Sequence, residues 1–122
     1  MSTLLPWQSE KKTKYRSTKI DTAGGVFDSR KEYERWIELC TMQNIGAISD
    51  LKRQVPFELI PQFECKGKRF RRTVYVADFT YYQDGEYVVE DVKGYKKGAA
   101  YQIYMMKAKL LAEKYGILVK ET

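Results

Sequence analysis

Apolar residues change along the chain from helical spacing to alternation and back to helical spacing, and that change marks out the elements. Tyr33, Trp36, Ile37 and Cys40 follow an i, i+3, i+4, i+7 spacing, which predicts a helix with one buried face. Asp28 and Ser29 are both good N-cap residues. Glu32 lies three after Ser29, as a capping box requires, and Phe27 can staple onto the first turn near Tyr33. The helix is predicted to stop before Gly46. Three strand-like runs follow: residues 55–63, 69–81 and 86–92. Pro56 and Pro61 mark the first as an edge or irregular strand. Lys66-Gly67 and Asp84-Gly85 sit where hairpin tips are needed, so the runs read as an antiparallel meander. A second helix is predicted from about Ala99 to Tyr115. Ile103, Met106, Leu110 and Lys114 lie on one face, with Gly116 as the C′ residue. Residues 117–119 read as a short buried strand. The order is helix, three strands, helix, strand: an α/β domain on one mixed sheet flanked by helices.

Ahead of this pattern, residues 1–25 are polar, basic and punctuated by Gly24-Gly25. They read as a loosely ordered N-terminal arm before a domain at 26–122. Residues 11–19, KKTKYRSTK, carry five Lys/Arg and one aromatic, which suits either a solvated tail or a contact to a nucleic-acid backbone.

Composition narrows the chemistry. The chain has 122 residues, the size of one compact domain, and 43% of them are hydrophobic, enough for one core. Lys+Arg number 22 against 16 Asp+Glu, a formal charge of +6 that favours a polyanionic partner such as DNA. There is no histidine, and Cys40 and Cys65 form no CxxC pair. That excludes a Cys/His zinc site and histidine-assisted nucleophiles. Two unpatterned cysteines suggest a reducing compartment. No apolar run approaches the roughly 20 residues that span a membrane. The first residues place their apolar side chains before their charges, the reverse of a secretory signal. A cytoplasmic protein without membrane contact is expected.

The remaining chemistry must come from carboxylates, lysines, tyrosines or an oxygen-ligated metal. Strand residues alternate faces. That rule places Asp78 with Val74, Val76 and Thr80, and Asp91 with Tyr87, Val89 and Lys93. Both aspartates thus follow apolar residues on faces expected to be buried, where an ionised carboxylate needs a partner or a metal. A hairpin symmetric about Asp84-Gly85 makes Asp78 and Asp91 direct neighbours, and like charges so placed call for a cation. Two carboxylates are the hard oxygen ligands that Mg²⁺ or Mn²⁺ prefers. Such an ion activates water and polarises phosphate. Lys93 would reach the same point, to orient the water or stabilise charge on the phosphate. The plain alternative is a surface ion pair, since D-x-K is a common tripeptide.

Three blocks, residues 27–32 (FDSRKE), 75–79 (YVADF) and 89–94 (VEDVKG), closely resemble a family of small phage and prophage proteins. That family is placed in the PD-(D/E)XK nuclease superfamily, and the resemblance covers about residues 14–120. It implies a restriction-endonuclease-like αβββαβ core. It also implies Asp78 as the first acidic ligand, Asp91 and Lys93 as the second half of the motif, and Glu32 as the acid from the first helix. Ala77 stands where the superfamily's motif has proline. By helix chemistry alone Glu32 is equally well a capping-box acid. Glu90 points to the opposite strand face from Asp91 and is held in reserve should the register slip.

The implied activity is a Mg²⁺- or Mn²⁺-dependent endodeoxyribonuclease with no small-molecule cofactor, encoded by a phage or prophage and working in the host cytoplasm. Branched DNA such as Holliday junctions is the expected substrate, and a junction cutter is expected to be a homodimer. The competing class is an inactive DNA-binding or assembly module that keeps the fold. An RNA nuclease ranks below both, because the sequence displays no aromatic platform for single strands. Further DNA contacts are expected from Gln54, from Arg69, Arg71 and Arg72 near a hairpin tip, and from Lys96 and Lys97. Lys107 and Lys109 read as solvated, and Tyr101 and Tyr104 as core or rim residues.

Overall fold

The computed structural model describes residues 19–22, 25–94 and 96–122. The basic stretch 11–18 and Gly24 lie outside the described residues. The elements are β1 (Ile20–Thr22), β2 (Gly25–Phe27), α1 (Arg30–Asn44), β3 (Ser49–Ile60), β4 (Phe63–Cys65), β5 (Lys68–Phe70), β6 (Thr73–Gln83), β7 (Glu86–Asp91), α2 (Gly98–Tyr115) and β8 (Lys120–Glu121). Four strands form the central sheet in the order β3-β6-β7-β8. Its first three strands are antiparallel, and β8 joins β7 in parallel after the crossover through α2. Setting aside the two small hairpins β1–β2 and β4–β5, the order is αβββαβ on a mixed sheet, a restriction-endonuclease-like core. Among the described residues no helix is long and apolar enough to cross a membrane.

Local chemistry explains the boundaries. Ser29 caps α1: its Oγ accepts a hydrogen bond from the Glu32 N–H at 3.1 Å. Gly116 ends α2 in the left-handed region at φ 69°, with its N–H on the Ala112 carbonyl. Asp84 and Gly85, at φ 53° and 81°, turn β6 into β7 with both central residues left-handed, the geometry that favours Asp-Gly. The ladder then runs symmetrically from Gln83↔Glu86 to Phe79↔Glu90, as the sequence predicted.

The helix faces differ from the expected ones. On α1 the buried residues are Glu32 and Leu39, whereas Ile37 is exposed. On α2 Tyr104 and Leu111 are buried, with Tyr101 and Ala108 against the same cluster. Ile103 and Met106 face solvent, 59% and 66% exposed. Both helices offer apolar side chains around more than half their circumference, so spacing alone did not fix which stripe the sheet would cover. The first strand also starts earlier than expected, at Ser49. The expected strand 69–81 is two strands, β5 and β6. The proposed arm boundary at residue 25 falls inside a hairpin, because Ile20–Thr22 pairs with Gly25–Phe27.

Two core clusters lie on opposite faces of the sheet. Leu39 of α1 packs with Ile48, Phe79 and Tyr81. Tyr104 and Leu111 of α2 pack with Leu59, Tyr75, Ala77 and Val89. On β7 the alternation is regular: Val88 belongs to the α1 side and Val89 to the α2 side. On β6 it is not. Tyr75 and Ala77 pack under α2, yet Phe79 and Tyr81, at the same two-residue spacing, pack under α1. On β3 Leu51 packs on the α1 side and Leu59 on the α2 side, again an even spacing that should share a face. The breaks coincide at Gln54 and Asp78, because Arg53↔Phe79 and Val55↔Ala77 keep register on either side. Gln54 carries the cause in its backbone, a φ of 56° inside a strand. Asp78 shares its cleft with Val74 and Val76 as expected, but that stretch is not buried: Val76 is 46% exposed, and Thr80 at 1% is the buried member of the expected set.

Candidate active site

The double break opens a cleft of about 400 Å³. It is lined by Asp28, Ser29 and Glu32 at the start of α1, by Val74–Val76 and Asp78 of β6, by Asp91–Lys93, and by Ala100, Ile103, Tyr104 and Lys107 of α2. Three of the four residues expected to carry the chemistry come from the splayed ends of β6 and β7. Beyond Phe79↔Glu90 the two strands part. The Val92 N–H donates to Asp78 Oδ2 at 2.8 Å, so a side chain completes the ladder. The main chain on either side of Val92 turns instead to the C-terminus: Thr122 N–H donates to the Asp91 carbonyl at 3.0 Å, and Lys93 N–H to the Thr122 carbonyl at 2.9 Å.

Each acid of the site meets a partner on both of its oxygens. Tyr75 Oη donates to Asp91 Oδ2 at 2.6 Å, and Lys93 Nζ lies 3.5 Å from Asp91 Oδ1. The Lys93 ammonium rests 3.7 Å from the centroid of the Tyr104 ring, a cation–π contact that limits where it can point. Glu32 is 3% exposed. Its Oε1 accepts from the Asp28 N–H and its Oε2 from Gln54 Nε2, both at 3.1 Å. Gln54 Nε2 also lies 3.5 Å from Asp78 Oδ1, so one amide spans two carboxylates. Glu32 thus reaches back past the N-cap Ser29 to the Asp28 N–H, one residue beyond a strict capping box, and is also a wall of the cleft.

Burial, followed by the neighbouring Asp91 carboxyl, pushes Asp78 up to about 8, against the opposing pull of the Val92 N–H. Burial also raises Glu32. Tyr75 is raised by burial and by its bond to Asp91, so it stays a hydrogen-bond donor. A carboxyl whose folded pKa exceeds its unfolded value, about 3.9, stabilises the fold below that value and loses the contribution as pH rises through the folded pKa. The metal-free protein should therefore lose stability between about pH 4 and pH 8. Asp78→Asn, which can still accept from Val92, should remove much of this slope. It should raise the melting temperature at pH 8 by roughly 4 °C per kcal/mol, for a gain on the order of 1–3 kcal/mol. Thermal unfolding of both proteins from pH 5 to pH 8 is the check. Parallel pH profiles would count against repulsion in the site.

Glu90 is not part of the cleft. It is fully buried. Both its oxygens are taken on the α1 side by Arg35 at 2.6 and 3.0 Å, Tyr81 Oη at 2.7 Å and Thr122 Oγ1 at 3.2 Å. The reserve placing Glu90 at the site is set aside on that ground.

The other expected contacts scatter. Lys96 pairs with Glu121 at 3.2 Å, and Lys97 is the N-cap residue of α2. Arg69 lies on β5, and Arg72 is 3.8 Å from Glu58. Neither they nor Arg71 line the cleft. Three residues not expected at the site matter here, among them Tyr104, which is the core residue its spacing implied. Tyr75 orients Asp91, Tyr104 seats Lys93, and Lys31 Nζ donates to the Lys93 carbonyl at 2.7 Å. A tyrosine spaced as core carries no sequence mark that its hydroxyl meets a carboxylate.

Asp78 and Asp91 offer the hard oxygen donors that Mg²⁺ or Mn²⁺ takes, and their mutual repulsion is what a divalent cation relieves. Glu32 joins them through Gln54. As they stand, no three acidic or cysteine side chains among the described residues are grouped closely enough to cage an ion.

The chain belongs to the family described as "Protein of unknown function (DUF1064)", which matches residues 12–121. No curated protein and no solved structure matches it.

Proposed function

We propose that this member of the family is a metal-dependent endodeoxyribonuclease of the PD-(D/E)XK type that hydrolyses phosphodiester bonds of DNA. The observation that carries the reading is the meeting of Asp78, Asp91 and Lys93 at the splayed end of one hairpin, with Glu32 joined to Asp78 through Gln54. Asp78 and Asp91 would hold Mg²⁺ or Mn²⁺, with water and phosphate oxygens completing the shell. When bound, such an ion supplies Lewis-acid polarisation of the phosphate and makes water more acidic.

The protein's own groups do the rest. Tyr75 and the Val92 N–H each tie one carboxylate oxygen closely, and its twin has a longer contact of 3.5 Å, to Lys93 from Asp91 and to Gln54 from Asp78, with which a cation would compete. Lys93, 19% exposed at its side chain, is held by Tyr104 where it can donate to the attacking water or to a phosphate oxygen. Lys107 on the cleft wall and the formal charge of +6 draw the polyanion in.

Resemblance to small phage and prophage proteins supports branched DNA as the substrate, and a dimer to place two cuts. The second reading, an inactive DNA-binding or assembly module, draws on the lack of a preformed three-acid cage among the described residues. One experiment separates them. Linear, nicked, flapped and four-way DNA are incubated with the protein and Mg²⁺ or Mn²⁺, beside a calorimetric titration of Mn²⁺ into the protein alone. Metal-dependent cutting is expected. Mn²⁺ binding without cutting of any DNA would favour the inactive module.

A further inference from the structure

Residues 61–72, none of which lines the cleft, form a hairpin in which every residue is exposed. Among the described residues its strands β4 and β5 pair only with each other. Pro61, which has no N–H to give, and the register shift between Glu58 and Ile60 separate it from the central sheet. The tip is Lys66-Gly67, at φ 50° and 82°. Five cations, Lys66, Lys68, Arg69, Arg71 and Arg72, stand against a single carboxylate, Glu64.

On this arm Phe63 and Phe70 are direct cross-strand partners. Their rings stack at 4.9 Å between centroids and 11° between planes, and remain 47% and 37% exposed. Lys68 lies 5.1 Å from the Phe70 centroid. Charge on a lone hairpin also discourages edge pairing. That need does not account for two phenylalanine faces left in water on the same arm. A flat apolar platform among cations suits one ligand chemistry, an unpaired base on a phosphate backbone.

We propose that the β4–β5 hairpin is a second DNA-contacting surface that stacks an unpaired base on Phe63/Phe70 while its arginines and lysines hold the flanking phosphates. The proposal rests on the nuclease reading for its choice of DNA and sharpens it to substrates with a single-stranded or branched element beside a duplex. Phe70 and Asp78 are eight residues apart along the chain, at most roughly 29 Å at about 3.6 Å per residue, so one DNA can reach both. No aromatic platform is evident in the sequence because residues 63 and 70 meet only once the hairpin forms.

The test measures binding without cutting, by fluorescence anisotropy in EDTA. The probes are a short blunt duplex, the same duplex with an unpaired tail, and a single strand. Phe63→Leu/Phe70→Leu is expected to lose about tenfold or more on the tailed duplex and the single strand, and less than about twofold on the blunt duplex. Phe63→Tyr/Phe70→Tyr, which keeps the platform, should bind within about twofold of wild type. A fluorophore on the exposed Cys65, in a Cys40→Ser background, should respond to the tailed duplex and not to the blunt one. Equal losses on all three probes, no loss in the leucine variant, or a silent fluorophore would each overturn the proposal. So would failure of the wild type to bind any probe. Binding that depends on the β4–β5 hairpin, by a protein that cuts nothing in Mg²⁺, removes the nuclease reading and leaves the hairpin surface. Cutting with binding that does not depend on the hairpin does the reverse.

Discussion

Asp78→Ala and Lys93→Ala should each lower DNA cleavage by about 10³-fold or more while leaving the fold intact. The two should differ in how they fail. Asp78 is half of the carboxylate pair, so its alanine variant should also lose Mn²⁺ binding in calorimetry. Lys93 touches Asp91 Oδ1 and the Tyr104 ring. Its removal should leave Mn²⁺ affinity within a few-fold and abolish turnover, because the lost group serves the transition state and not the metal. Neither change should unfold the protein. Lys93 sits at the cleft, and Asp78 in the metal-free state is held away from its ordinary ionisation by burial and by Asp91. Steady-state cleavage of four-way and flapped DNA, with circular dichroism as the fold control, measures both. Wild-type rates in either variant would end the mechanism.

Arg35→Ala should be the most damaging single change to stability. Arg35 reaches across from α1 to neutralise Glu90, which is fully buried on β7. Burial alone would raise Glu90, but the Arg35 and Tyr81 hydrogen bonds outweigh it and hold the carboxyl below its usual value. Without the guanidinium a buried carboxylate keeps Tyr81 and Thr122 but has no counter-charge, a loss of about 3–5 kcal/mol. That is a large share of the roughly 5–15 kcal/mol that holds a domain together. The pH dependence runs opposite to that of Asp78. A lowered folded pKa gives stability that is present above the unfolded carboxylate value, about 4.3, and is lost as pH falls through the folded value. Replacing both partners, as in Arg35→Met/Glu90→Leu, should recover much of the loss, because the cost lies in the orphaned charge and not in the missing bond. Chemical denaturation at pH 7 decides it. A single variant within about 1 kcal/mol of wild type would show that Glu90 is solvated or paired elsewhere.

The features legible in the sequence are those that depend on a few neighbouring residues. Ser29 and Glu32 specify a helix start whatever lies around them, because the capping bonds close within one turn. Asp84-Gly85 specifies a tight hairpin, because two left-handed residues in a row suit that dipeptide. From that turn the opposition of positions 78 and 91 follows by counting, and Lys93 follows Asp91 by alternation. These local rules were enough to name the candidate site and the αβββαβ order.

What only the tertiary structure decided depends on partners distant in sequence. Two-residue alternation assumes a regular strand, and Gln54 at φ 56° breaks β3 on the same rung where β6 breaks at Asp78. Nothing in the spelling of either strand announces it, because the break is shared between them. It moves Phe79 and Tyr81 under α1 and leaves Tyr75 and Ala77 under α2, and the acid between them faces a cleft. Helix faces, the Arg35–Glu90 pair and the Tyr75 and Tyr104 supports were hidden for the same reason. A side chain's identity says what it can bond. Which partner it meets is set by packing across 16 residues for Tyr75–Asp91 and 55 for Arg35–Glu90. The sequence determined which residues could do chemistry and which turn would bring them near. The fold decided which oxygens are tied, which face the cleft, and that a basic hairpin with a bare aromatic pair stands apart from it.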